Sequence, residues 1–118
     1  MKYIFDTNDR PFKAILAGTK KVEGRTPTVL DKTPYDKLKP GDTLDIINNA
    51  SGETLKVMIR YVNHYPDVKK MLEIEGPENV LSSEPKTVEH GIKSYDSLNG
   101  YKEGIRMNGI YAIGLKLM

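Results

Sequence analysis

The sequence predicts an α+β domain, a curved sheet or small barrel with helices packed against it. Three observations lead there. Two strand-like stretches, LKPGDTLDII at 38–47 and LKVMIRYV at 55–62, face each other across a turn. Stretches with helical spacing lie before and after this pair, and an apolar run, GIYAIGLKLM at 109–118, ends the chain. At 118 residues the chain is read as one domain, 1–118, large enough for a core without covalent staples.

Taken in order, KYIF at 2–5 suits a short first strand. Phe12, Ile15 and Leu16 follow the i, i+3, i+4 rule of a helix face. Pro11 fits the first turn of that helix, and Gly18 fits the residue just past its end. Lys20 to Thr26 is then extended, with Pro27 discouraging helix before it. Pro40-Gly41-Asp42 makes a turn into a strand, and NNASG at 48–52 makes a second turn. Leu55, Val57, Ile59 and Tyr61 alternate with Lys56, Met58, Arg60 and Val62, so the two strands form a hairpin. PDVKKMLEIEG at 66–76 reads as a helix opened by Pro66 and closed by Gly76. PENVLSSEPK at 77–86 reads as a loop, 87–98 as a helix weakened by Gly91, and GIRMNG at 104–109 as a turn-rich approach to the last strand. Apolar residues on both faces of that last strand give it an internal place in the sheet.

Composition removes several function classes. Without cysteine there are no disulfides and no thiolate metal sites, which fits a reducing compartment. No apolar run approaches the ~20 residues that span a bilayer, and MKYIFDTNDR carries charge too early for a signal peptide, so a cytoplasmic protein is expected. His64 and His90 share no ligand spacing, and no phosphate-loop glycine pattern occurs, so no metal and no cofactor are expected. The net charge of +2 is too small to argue for nucleic acid. It is unevenly spread: residues 1–70 carry 13 basic and 9 acidic groups (+4), and residues 71–118 carry 5 and 7 (−2).

GTKKVEGR at 18–25 concentrates charge between glycines and fits the pattern G-x-K-x-x-E-x-R. With the helix before it, the P-G-D turn after it, Glu75-Gly76 and the closing GIYAIGLKL, it resembles the ASCH domain, a relative of the PUA RNA-binding domain built on a small β-barrel. The resemblance covers nearly the whole chain and implies a PUA-like barrel that binds RNA or a nucleoside-like ligand in a cleft beside the motif. Some bacterial members deacetylate acetylated cytidine, and a ribonuclease activity has been attributed to others, so a small metal-independent hydrolase is the alternative function. The resemblance selects Lys20, Glu23, Arg25 and Glu75 as the cleft's lining, with Lys20, Glu23 and Glu75 the catalytic set if the protein is an enzyme.

These residues also have plainer readings. Glu23 and Arg25, two apart on a strand, make an ordinary surface ion pair, or Arg25 offers its planar fork to a base edge with Glu23 holding it. Lys20 reaches their side only if regular alternation starts after it; Lys21 then points to solvent. Glu75 shares a helix face with Val68, Met71 and Leu72, and partial burial at a helix C-terminus raises its pKa unless a cation is close. The deacetylating members carry threonine, the proposed nucleophile, where this chain has Glu23, which cannot perform the same acyl transfer. Tyr61, Tyr65, Tyr95, Tyr101 and Tyr111 serve either as core or as a base-stacking platform.

Overall fold

Two edge strands flank a short helix at the start of the chain. The structure, a computed structural model, describes all residues Met1–Met118. β1 covers Lys2–Thr7, α1 covers Asp9–Ala17 and β2 covers Val22–Arg25. Phe12 and Ile15 are buried, but Leu16 is 52% exposed. On a helix of nine residues the core-facing stripe is narrow, and Leu16 falls beyond its edge. Gly18 ends α1 in the left-handed region at φ 83°, a conformation that costs glycine nothing. β3 (Thr43–Asn48) and β4 (Thr54–Tyr65) form the expected antiparallel hairpin, preceded by a 3-10 turn at Tyr35–Lys37 that buries Tyr35.

The alternation read across 55–62 does not run through. A bulge leaves Arg60 unpaired, with Ile59 opposite Leu115 and Tyr61 opposite Gly114. Val57 and Ile59 join one core cluster, and beyond the bulge Val62 keeps that face while Tyr61 and Tyr65 turn to a second cluster. One inserted residue thus redirects two tyrosines.

α2 (Val68–Glu75) starts two residues after Pro66, because Asp67 caps it by accepting the Lys70 N–H at 2.8 Å. Two stretches read as loop or turn are helical. Pro77–Val80 forms a single turn, α3, with proline at its start, and Tyr101–Asn108 forms α5. Between them α4 (Val88–Asp96) is capped by Thr87. β5 (Ile110–Leu117) closes the chain.

The sheet runs β1-β3-β4-β5-β2, with only the β1–β3 pair parallel. β5 is internal and feeds both clusters: Ile113 and Leu115 lie with α1, β1 and β3, while Ile110 and Ala112 lie with α2 to α5. β1 and β2 each have one neighbour, yet the Arg25 side chain on β2 donates from Nη2 to the Asp6 carbonyl on β1 at 2.7 Å. The five strands therefore curl into a half-barrel whose open seam is one side chain wide. No helix is long and apolar enough to cross a membrane.

Candidate ligand-binding site

The seam opens into a polar cleft of about 610 Å³, walled by the β1–α1 junction, β2, the stretch after α3 and the end of α4. Lys20, Glu23 and Arg25 all line it. Regular strand begins only at Val22, so Lys20 escapes the alternation and turns inward, 4% exposed, while Lys21 points to solvent. Lys20 Nζ lies 3.2 Å from Glu23 Oε1 and donates to the Val22 carbonyl at 2.9 Å and to the Val80 carbonyl. Its three donors are all taken. Glu23 Oε2 accepts from Arg25 Nε at 2.9 Å. One carboxylate thus sits between two cations.

Electrostatics follow from that order. Burial works to raise the Glu23 pKa, but Lys20 and Arg25 outweigh it and hold the carboxyl below its ordinary value. Burial pulls the Lys20 amine below its ordinary value, against the opposing pull of Glu23. Burial works against the charged guanidinium of Arg25 as well, yet the Glu23 carboxylate keeps it firmly protonated. Arg25 is further fixed over the Phe5 ring, 4.7 Å from its centroid. With Nε on Glu23 and Nη2 on Asp6, Nη1 makes no hydrogen bond within the chain. No buried side-chain nitrogen lacks a partner, so Nη1 is reached by solvent from the cleft.

Gly24, between the two charged residues, admits Tyr95: a Cβ there would lie 2.5 Å from Tyr95 Oη. Tyr95 and Tyr101 stack with centroids 6.3 Å apart and both line the cleft. Of the five tyrosines considered as a stacking platform, these two reach the site. Tyr111 instead stacks on His64 at 4.4 Å, away from the cleft lining.

Glu75 does not join the other three. Its carboxylate accepts from Tyr61 at 2.6 Å, Tyr65 at 2.5 Å and Asn63 at 3.0 Å, pinning the end of α2 to β4, and it does not line the cleft. Partial burial works to raise its pKa, as the sequence suggested, but the three neutral donors prevail and the net shift is downward. Glu75 does extend the helix face of Val68, Met71 and Leu72, but the bulge that turns Tyr61 and Tyr65 toward α2 leaves no trace in the sequence pattern.

Other lining residues carried no sequence signal. Arg10 Nε contacts Ser82 Oγ at 3.4 Å, linking α1 to the stretch after α3 across the cleft. The Val80 carbonyl that anchors Lys20 is 60 residues away in a segment read as a loop. No cluster of three or more His, Asp or Glu side chains is placed to hold a metal ion.

No family model matches the chain, and no curated protein does. Solved structures match it over its full length, among them the following two. Hypothetical protein PH0355, known from a crystal structure, is 32% identical over 100% of both chains with a TM-score of 0.81. Protein PF0455 from Pyrococcus furiosus, known from a solution NMR structure, is 29% identical over 100% of this chain and 98% of its own, with a TM-score of 0.75. The chain belongs to one family with hypothetical protein PH0355.

Proposed function

We propose that the chain is an ASCH-type domain of the PUA-like superfamily that binds RNA or a nucleoside-like small molecule in the Lys20–Glu23–Arg25 cleft. The observation that carries this reading is the Arg25 guanidinium, immobilised on two of its nitrogens and solvent-reached on the third. A planar donor held in this way suits the acceptor edge of a base, and the adjoining Tyr95–Tyr101 pair offers an aromatic wall. The absence of cysteine fits a cytoplasmic setting for it.

The hydrolytic alternative has less support. A general base needs a carboxylate free to take a proton from water. Both Glu23 oxygens are engaged, Glu75 lies outside the cleft, and Lys20 has no N–H left for an oxyanion. NMR titration with single nucleosides, acetylated cytidine and short RNAs tests the reading. Amide shifts should cluster at Gly24, Arg25 and Tyr101, and acetylated cytidine should stay intact. Arg25→Ala should weaken binding by about 1–3 kcal/mol. Shifts confined to other surfaces, or an Arg25→Ala variant that binds equally well, would refute the cleft as the site.

A further inference from the structure

A second concave region lies on the other side of Lys20 from the cleft. It has a volume of about 530 Å³, and Lys21, Arg60 and Lys116 line it together with Leu117. The three cations come from the lead-in to β2, the β4 bulge and β5, which are neighbours in the sheet. All three are exposed, and none takes part in an ion pair. No carboxylate lines the region. In a chain carrying 16 acidic residues against 18 basic ones, a concave surface with three unpaired cations and no acid is a local concentration of positive potential.

The backbone supports the arrangement. The bulge that redirects Tyr61 also removes Arg60 from the pairing ladder, and Lys116 sits opposite Met58 on the next strand. Lys21 is bound into the sheet through its own carbonyl, which accepts the Leu115 N–H at 2.9 Å. The three cations thus project from adjoining parts of one sheet, and their charged ends make no ion pair. Leu117, 43% exposed, adds an apolar contact beside them.

We propose that Lys21, Arg60 and Lys116 form a phosphodiester-binding surface for single-stranded nucleic acid, distinct from the cleft. Unpaired cations with no competing acid suit backbone phosphates, and the exposed Leu117 suits the flat face of an adjoining base better than it suits a wholly polar acidic peptide. The surface reads no sequence; it supplies affinity that falls with salt. It does not depend on what the cleft binds, because none of the three side chains lines the cleft.

The test is fluorescence anisotropy with a labelled oligouridylate, comparing the natural chain with the Lys21→Gln/Arg60→Gln/Lys116→Gln variant across a salt series. Each neutralised phosphate contributes about 0.7 to the log–log salt slope for a single strand, so the variant's slope should be shallower by about 2. Between about 50 and 200 mM salt, its affinity deficit should shrink about twentyfold. Arg60→Lys, which keeps the charge, should retain the slope. All three positions are exposed, and an unchanged thermal melt checks that the triple variant folds. Equal slopes for the two proteins, or no binding of the oligouridylate by the natural chain, would overturn the proposal. Polyglutamate displacing the oligouridylate at equal charge concentration would overturn it too, assigning the surface to acidic proteins.

Discussion

Replacing Glu23 by glutamine would leave the shape of the cleft intact and remove the one anion between Lys20 and Arg25. The gross attractions are large: at an effective dielectric of ~20, unit charges about 3 Å apart interact by about 5 kcal/mol. Desolvation of each ion offsets most of that, so the informative quantity is the cost of leaving buried Lys20 and half-buried Arg25 without their counter-charge, about 3–5 kcal/mol. For a chain of 118 residues this corresponds to a fall in Tm of about 12–20 °C. Urea unfolding of Glu23→Gln, Lys20→Met and the double variant measures it. The Lys20–Glu23 attraction is lost in either single change and only once in the double change, so the double variant should lose at least about 1 kcal/mol less than the sum. The pH dependence has a definite sign. The folded-state pKa of Glu23 lies below its ordinary value of 4.5, so its contribution is full above that value and is lost as pH falls through the lower one. The deficit of Glu23→Gln should therefore narrow in acid. A loss below about 1 kcal/mol with additive single changes would show that the triad is a solvated surface pair and not the buried unit described here.

Three further outcomes are expected. Tyr65→Phe removes a 2.5 Å hydrogen bond to Glu75, so the Glu75 pKa followed by NMR should rise, with a stability loss of about 1–2 kcal/mol near neutral pH that fades as pH falls through the depressed folded-state value. Gly91→Ala favours helix by up to ~1 kcal/mol, but its Cβ would lie 2.3 Å from Leu72 Cδ1, so a net loss of about 1–2 kcal/mol in urea unfolding is expected. Arg25→Lys keeps the charge but cannot hold Glu23 and the Asp6 carbonyl in the same planar geometry, so amide exchange along β1 should accelerate.

Much of this architecture is legible in the chain because local and tertiary demands agree. Pro40-Gly41-Asp42, NNASG and the apolar alternation of 55–59 specify the hairpin, and Gly18 specifies the end of α1. Reading fails where a residue answers to a distant neighbour. Gly104 looks like a turn residue, yet it sits inside α5 because a Cβ there would lie 2.6 Å from the Pro27 carbonyl. Gly91 weakens the helical reading of α4 for the same kind of reason, its Cβ position being occupied by Leu72. In the site, Lys20, Glu23 and Arg25 lie within six residues, so their convergence follows from one local departure from strand alternation. Placing Glu75 required knowing where β4 bulges, and locating the carbonyl that holds Lys20 required knowing that the chain returns at Val80. Neither is encoded in short-range periodicity.

The strand order also sets a schedule for synthesis. β2 pairs with no strand except β5, the last element of the chain, and Lys20 is anchored on Val80. As the chain leaves the ribosome, the GTKKVEGR stretch emerges early and then waits, its edge uncovered and its charges hydrated, while most of the remaining sequence is translated. The β1–β3 and β3–β4 ladders can form in the meantime, since both lie within the first 65 residues, although β4 too waits for β5 on its other edge. A message truncated before the codon for Ile110 would therefore yield a polypeptide containing every charged residue of the motif but lacking the ladder that arranges them. In such a fragment Lys20, Glu23 and Arg25 have no β5 ladder to hold them along one wall of the cleft.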